Sequence, residues 1–204
     1  MPLNAIVKKE VIKNTEKHEG RVPHLYLDTR GFVTVGIGHL IPNKSAIASV
    51  PMYKKGANNM LVLASLAEKH AEYDTIKKQP HGNYLASYYK PYTTLVMKNH
   101  DIVIQKEKHI ASFYRELVGY YNTKNGFSTH FDAMPFEVQQ ALLDMSFNLG
   151  ITRLKSQYIK MNAHIKKEKW GDAALQSSRI SVKAQRNLYV KNLFLKAQAG
   201  AKKP

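Results

Sequence analysis

The hydrophobic periodicity of the chain changes at Gly20, and this change limits the possible folds more than any other feature of the sequence. Residues 5–19 carry apolar side chains at helical spacing, which predicts an amphipathic helix that Gly20 ends. Residues 24–41 alternate apolar and polar side chains around a turn at residues 29–31, which predicts a small antiparallel sheet. The apolar-leaning stripe of the predicted helix consists of Val7, Val11, Ile12 and Thr15.

Most of the remaining chain has the three-to-four-residue period of helices. The sequence predicts further helices over residues 57–78, 105–121, 135–149, 156–167, 170–178 and 183–197. In three of them the predicted buried faces are Met60, Leu61, Leu63, Ala64 and Ala67; Val138, Ala141, Leu142, Met145 and Leu149; and Val190, Leu193, Phe194 and Ala197. Pro135 starts the middle helix of these three and Gly150 ends it. One small sheet followed by helices predicts an α+β fold that is predominantly helical.

Residues 79–94 combine Pro80, Gly82 and Pro91 with four tyrosines, which predicts a loop or a short irregular helix. The tyrosines are Tyr84, Tyr88, Tyr89 and Tyr92. Their rings have apolar faces and a polar tip, so they are suited to stacking against sugars. They are equally suited to packing this segment onto the body of the protein, which is the interpretation we favour.

The charge balance favours an anionic partner. The 204-residue chain has 31 Lys and Arg against 15 Asp and Glu, a formal charge of +16, and nucleic acid, anionic lipid and bacterial cell wall all qualify as partners. The surplus is steepest in residues 151–204, where 13 basic residues stand against only Glu168 and Asp172. This face is either solvated surface or a wall-binding surface.

Several classes of protein are excluded or disfavoured. The chain has no cysteine, which excludes a disulfide framework and a cysteine metal site. No stretch approaches the roughly 20 apolar residues that span a bilayer, and the N-terminus lacks the features of a signal peptide. The histidines after His18 do not have zinc-protease spacing, and residues 36–38 are too short a glycine motif for a nucleotide site. We therefore expect no metal and no cofactor.

Two carboxyl groups and a hydroxyl lie close together in sequence, at Glu19, Asp28 and Thr34. Glycoside hydrolysis needs one carboxyl group that donates a proton and one that stays ionised. Partial burial and the negative end of the helix dipole are expected to raise the pKa of Glu19, whereas Asp28 is expected to be solvated beside a turn. Thr34 supplies a hydroxyl that can hold a water molecule. On spacing alone, the alternative stays open that Glu19 points to water and Asp28 only starts a turn.

The segment from His18 to His39 resembles the N-terminal motif of phage-type lysozymes, the endolysin family. That motif pairs Glu-Gly with Tyr-x-Asp-Thr-x-Gly-x-x-Thr-x-Gly-x-Gly-His, and in register with Glu19 the chain matches it at Tyr26, Asp28, Thr29, Gly31, Thr34, Gly36, Gly38 and His39. The resemblance implies that Glu19 is the general acid and that Asp28 and Thr34 position the attacking water. It also implies a structural, ion-pairing role for His39.

A second match lies at residues 139–150, which resemble the central helix of the same family. The end of that helix lines the sugar groove in the family, so the resemblance makes Phe147 and Asn148 candidates for sugar contacts. Gly38 and Leu40 complete the candidate substrate-binding set.

The resemblance covers residues 5–41 and 102–197 and has three departures. Residues 42–100 have no clear counterpart in the family. Arg30 stands where an acidic or polar residue is common, and Gln157 stands where a serine or threonine is usual.

The resemblance implies a lysozyme-like fold in a single domain of residues 1–204, with a sheet-bearing lobe, a helical C-terminal lobe and residues 42–100 as an insertion. It implies a muramidase that cleaves the β-1,4 bond between N-acetylmuramic acid and N-acetylglucosamine by inversion. Peptidoglycan is the expected partner, with an immunity or inhibitor protein as a further one. We expect a monomer, without nucleic acid or a membrane span, that reaches the wall through a holin or a secretion system. The alternatives are a lysozyme-like domain that binds wall or a partner without cutting, and a basic nucleic-acid-binding protein.

Overall fold

A computed structural model describes residues 3–180 and 182–201, without the side chains of His18 and Glu19. The chain divides into two compact units. We call Met1–His18 with Lys108–Pro204 the helical unit, and Glu19–Glu107 the sheet unit. The structure is mixed α and β, 62% helical, with a small antiparallel sheet. This confirms the coarse class predicted from the sequence, a predominantly helical α+β fold.

The described residues form seven α-helices and five strands. In chain order these are α1 (Ala5–Glu19), β1 (Val22–Leu27), β2 (Val33–Gly36), β3 (His39–Ile41), β4 (Tyr53–Lys55), β5 (Leu61–Leu63), α2 (Leu66–Lys77), α3 (Asn99–Tyr120), α4 (Phe136–Gln157), α5 (Ile159–Ile165), α6 (Trp170–Leu175) and α7 (Ala184–Gly200). Short 3₁₀ helices lie at Lys44–Ser49, Ala57–Asn59, Ala86–Tyr92, Thr123–Asn125 and Phe131–Ala133. None of the helices in the described part of the chain is long and apolar enough to cross a bilayer.

The three-stranded sheet has the order β1-β2-β3, and both strand pairs are antiparallel. The sequence pattern predicted one continuous strand after the first turn. A tight turn divides it into β2 and β3, because Gly36 and Gly38 take left-handed φ angles of 68° and 67°. Thr34 lies on the central strand, opposite Tyr26 of β1 and Leu40 of β3. Since directly opposed residues share a face, these three side chains lie on one face of the sheet.

The core of the sheet unit is shared by the sheet and by residues 42–100. The sheet contributes Leu25, Leu27, Val33, Val35 and Ile41. Residues 42–100 contribute Ile47, Val50, Met52, Ala64, Tyr73, Ile76, Tyr89, Leu95 and Met97 to the same cluster. The segment without a family counterpart therefore folds around the same apolar core as the small sheet.

Glu72 on α2 fixes the far end of this segment. Its Oε2 accepts hydrogen bonds from the N–H groups of Thr94 at 2.6 Å and Leu95 at 2.8 Å, and from the Thr94 hydroxyl at 3.1 Å. Burial raises the pKa of Glu72, and these hydrogen bonds offset part of the rise. One carboxyl group thus connects α2 to the chain that leads into α3.

The helix predicted for residues 57–78 is wrong in its first part. Leu61–Leu63 form strand β5, which pairs with β4, and the helix begins only at Leu66. Asn58 and Asn59 take left-handed φ angles of 55° and 60°, which a right-handed helix cannot accommodate. A run of apolar residues within a hairpin had produced an apparent helical stripe.

The buried face predicted for that helix is mostly exposed. Only Ala64 is buried among Met60, Leu61, Leu63, Ala64 and Ala67. The sequence did contain a local signal for the true start of α2. Ser65 and Glu68 form a capping box, in which each side chain accepts a hydrogen bond from the main chain of the other.

The helical unit confirms the other predicted faces. The buried side chains include Val7, Val11 and Thr15 of α1; Val138, Ala141, Leu142 and Met145 of α4; and Val190, Leu193, Phe194 and Ala197 of α7. Ile12 and Leu149 pack against the same core and are partly buried. Gly150 interrupts α4 with φ 71° and ψ 159°, so the regular helix ends where the sequence predicted, and a short second stretch follows.

A buried ion network connects α4 to α7 within the helical unit. Asp144 is 3% exposed, and its Oδ1 accepts a hydrogen bond from Arg179 Nη1 at 2.8 Å. Arg186 Nε donates to Oδ2 of the same carboxylate at 3.1 Å. Burial lowers the pKa of Arg179, and the charge of Asp144 opposes this effect. Two buried cations therefore share the carboxylate of Asp144.

We expect Asp144→Ala to lower the free energy of unfolding by about 3–5 kcal/mol, because two buried guanidinium groups lose this counter-charge. Urea denaturation followed by circular dichroism measures the loss. Asp172→Ala removes an exposed acid on α6 and should change the stability by less than about 0.5 kcal/mol. Equal stability of the two variants would show that Asp144 does not hold the network.

Candidate active site

Glu19 is the last residue of α1. Gly20 follows it with a left-handed φ of 72°, the conformation in which glycine commonly ends a helix, so the predicted stop is confirmed. The side chain of Glu19 lies outside the described part of the structure. Its predicted burial, its raised pKa and its distance from Asp28 therefore stay predictions.

Asp28 lies at the β1–β2 turn, where the main chain holds its carboxylate. Its Oδ1 accepts hydrogen bonds from the N–H groups of Arg30 and Phe32, both at 2.9 Å. The Asp28 N–H donates to the Phe32 carbonyl, and the Gly31 N–H donates to the Asp28 carbonyl, each at 2.9 Å. Arg30 Nε lies 3.8 Å from Oδ2, and the Asp28 side chain is 25% exposed. The carboxyl group thus forms the turn as an acceptor and keeps some contact with solvent.

Thr34 reaches the same turn from strand β2. Its hydroxyl donates to the Phe32 carbonyl at 3.1 Å, and the residue is 3% exposed. Phe32 therefore contacts Asp28 through its N–H and Thr34 through its carbonyl oxygen. The structure brings these two candidate residues together through the main chain of one residue, a link that neither spacing nor resemblance predicted.

Residues 42–100 support this turn. Lys77 Nζ donates a hydrogen bond to the Gly31 carbonyl at 2.6 Å. Gly31 has a φ of 78°, and a Cβ atom there would lie 3.0 Å from the His81 ring. Both the backbone conformation and the neighbouring ring thus favour glycine at this position. No local sequence pattern connects Lys77 and His81 to the turn, so neither residue was predicted to contact it.

Two cations flank the turn that holds Asp28. The Arg30 guanidinium lies 5.1 Å from the centroid of the Phe32 ring, and Lys77 Nζ lies 5.7 Å from it, distances at which cations are attracted to aromatic rings. Phe32 is 37% exposed. Arg30, a departure from the family pattern, therefore helps to make the surface beside Asp28 aromatic and positively charged.

The remaining candidates of the sheet unit have different surroundings. Gly36 is buried, and a Cβ atom there would lie 3.3 Å from Gln105 Oε1. Its small size therefore serves packing against α3. Gly38 is exposed in the β2–β3 turn, and Leu40 is half-buried on β3.

Phe147 and Asn148 belong to the helical unit and lie on α4 shortly before its kink. The ring of Phe147 packs at 4.8 Å from that of Phe113, and Asn148 is exposed. Packing thus accounts for Phe147, whereas the exposure of Asn148 leaves it accessible to a ligand. The sugar contacts expected of both residues stay a prediction.

A scan against protein-family models finds no match to this chain, and a search among curated proteins finds no significant match. The resemblance to phage-type lysozymes therefore rests on the motif residues themselves. Any function has to be supported by the chemistry of those residues and their surroundings.

Two variants can separate the contribution of Asp28 to the stability of the turn from its contribution to catalysis. Asp28→Ala removes the acceptor of two N–H groups and should lower the free energy of unfolding by about 1–2 kcal/mol. Asp28→Asn keeps an oxygen at Oδ1 and should stay within about 0.5 kcal/mol of the parent. Thermal and urea unfolding measure both variants, and an alanine variant as stable as the parent would show that the turn forms without the carboxylate.

Proposed function

We propose that this protein is a muramidase, which cleaves the β-1,4 bond between N-acetylmuramic acid and N-acetylglucosamine in bacterial peptidoglycan. The observation that carries the proposal is that Asp28 and Thr34 both form hydrogen bonds with the main chain of Phe32. The hairpin that contains these residues begins just after the helix that ends at Glu19. A fixed carboxylate and hydroxyl, with a second carboxyl group from another element, are the groups that glycoside hydrolysis requires.

The proposed mechanism divides the work between the two carboxyl groups. Glu19 donates its proton to the glycosidic oxygen while the bond to the anomeric carbon breaks. A water molecule held by Asp28 and Thr34 attacks the opposite side of that carbon and gives a proton to Asp28. This attack inverts the anomeric configuration and needs carboxyl groups on the order of 6.5–9.5 Å apart. The Thr34 hydroxyl donates its own hydrogen to the Phe32 carbonyl, so its oxygen is left to accept a hydrogen bond from the attacking water.

The charge distribution supports an anionic polymer as the substrate. Peptidoglycan carries carboxylates on its stem peptides, and the chain has a formal charge of +16. Locally, Arg30 and Lys77 flank the turn of Asp28. The proposal assigns these two cations to attracting the wall, without a part in bond cleavage.

A second candidate is a lysozyme-like domain that binds the wall without cutting it. The burial of Thr34, at 3% exposure, favours this candidate. So does the involvement of Asp28 and Thr34 in the turn itself, since a structural role alone would account for both residues. The two candidates differ in turnover, which one assay can measure.

Wild-type protein should clear a suspension of purified Gram-negative peptidoglycan, and Glu19→Gln should lower the rate at least about 100-fold, the usual contribution of a general acid. Asp28→Asn should lose activity while it stays folded. Glu116→Gln makes the matched change at an exposed position of α3 and should keep the wild-type rate. Turbidity gives the rates, and mass spectrometry of the fragments identifies the cleaved bond.

Full activity of a folded Glu19→Gln protein would contradict the proposed mechanism. If wild type fails to clear the wall but sediments with it, the binding domain replaces the muramidase. Sedimentation with the wall should weaken as salt is raised, because screening shortens the reach of surface charges. Binding that does not depend on salt would remove the role given to the charge.

A further inference from the structure

Three tyrosines form an exposed row along residues 84–92. The ring centroid of Tyr88 lies 4.4 Å from that of Tyr84 and 5.7 Å from that of Tyr92. Tyr84 is 46% exposed and Tyr92 is 40% exposed, with Tyr88 half-buried between them. We call Tyr84, Tyr88 and Tyr92 the tyrosine row. The packing favoured from the sequence therefore accounts for Tyr89, which is fully buried, and leaves the ends of the row unexplained.

The tyrosine row is anchored by buried contacts. The Tyr89 hydroxyl donates to the Pro80 carbonyl at 2.8 Å, and its ring meets that of Tyr88 edge-on at 5.2 Å. His24 Nε2 lies 2.9 Å from the Ala86 carbonyl, which connects the segment to β1. A surface held in this way loses little conformational freedom when a ligand binds, which favours affinity.

The buried anchor of the tyrosine row lies near the turn of Asp28. His81 directly follows the residue that accepts the Tyr89 hydrogen bond, and its ring contacts Gly31 in that turn. The pKa of Tyr89 is raised mainly by burial, and further by electrostatic interaction with Tyr84 and then with Asp28. These contacts place Tyr89, which anchors the tyrosine row, near the turn that holds Asp28.

Exposed tyrosine rings are chemically suited to sugars. A pyranose ring presents an apolar C–H face that packs on an aromatic face, while its hydroxyl and acetamido groups can bond to phenol groups. A hydrogen bond with Tyr92 raises the pKa of Tyr88 to about 12, which shows that the phenol groups of the row interact with each other. A row of rings fits consecutive sugars of an extended chain.

We propose that the tyrosine row is a stacking subsite for the β-1,4-linked glycan strand beside Asp28. The inference rests on the proposed muramidase for the identity of the polymer. It extends that function to residues 42–100, for which the resemblance supplies no role. The row would hold sugars outside the cleaved bond, so it should contribute to substrate affinity and leave the chemical step unchanged.

The test measures binding of soluble β-1,4-linked N-acetylglucosamine oligomers by calorimetry, with Glu19→Gln protein as the non-cleaving parent. Tyr84→Ala and Tyr92→Ala should each weaken binding roughly threefold to tenfold, the range typical of one lost stacking contact. Tyr84→Phe and Tyr92→Phe keep the ring and should bind almost like the parent. Leu85→Ala is the matched control in the same segment, at 77% exposure, and should not change the affinity.

Equal affinity of the parent and both alanine variants would overturn the subsite, as would a parent that binds no oligomer. A loss in Leu85→Ala as large as in the tyrosine variants would also overturn it, since a general apolar patch would then explain binding. Circular dichroism checks that each variant is folded.

The two proposals fail separately. Tyrosine-dependent binding without turnover by wild type would support the subsite and reject the muramidase. Turnover with a KM that is indifferent to Tyr84→Ala and Tyr92→Ala would support the muramidase and reject the subsite. A raised KM with unchanged kcat in these variants is the result expected if both proposals hold.

Discussion

The hydrogen bonds that Asp28 and Thr34 make to the main chain of Phe32 set the geometry on which the candidate site depends. The geometry of the turn fixes which residues of β1 and β2 oppose each other. This register matters, since a shift by one residue would move every side chain of a strand to the other face of the sheet. In the observed register Thr34 opposes Tyr26, so these two side chains lie on the same face of the sheet. Asp28 and Thr34, two of the side chains that the proposed chemistry needs, therefore also build the turn.

Residues 42–100 stabilise this turn through packing and direct contacts. A three-stranded sheet of six, four and three residues has little apolar surface of its own, and sheets this small need packing against other elements. The segment supplies that packing through the shared core, and Lys77 and His81 contact the turn at Gly31. The same segment carries the tyrosine row. Residues 42–100, which have no counterpart in phage-type lysozymes, thus stabilise the turn whose residues resemble the motif of that family.

Structure also explains part of that resemblance without reference to substrate. Asp144, Arg179 and Arg186 fall within the segments on which the proposed resemblance rests, and together they form the buried ion network of the helical unit. Charges this deeply buried are tolerated only when they are paired. The surplus of positive charge lies elsewhere, and many lysines are exposed on the surface, where they can attract an anionic polymer.

The sequence by itself determined what local chemistry controls. The faces of α1, α4 and α7, the helix end at Gly20 and the break at Gly150 follow from periodicity and from glycine's access to left-handed φ. The sequence also indicated that Asp28 could start a turn, since an aspartate side chain readily accepts hydrogen bonds from nearby N–H groups, and Asp28 does so. The strand at Leu61–Leu63 was missed because its apolar residues, exposed on a hairpin, imitate a helical stripe. Only the tertiary structure decided that Lys77 and His81 meet Gly31, and that Tyr89, which anchors the tyrosine row, is held through Pro80 next to His81. Those contacts join residues distant in sequence, and only the packing of a shared core brings such residues together.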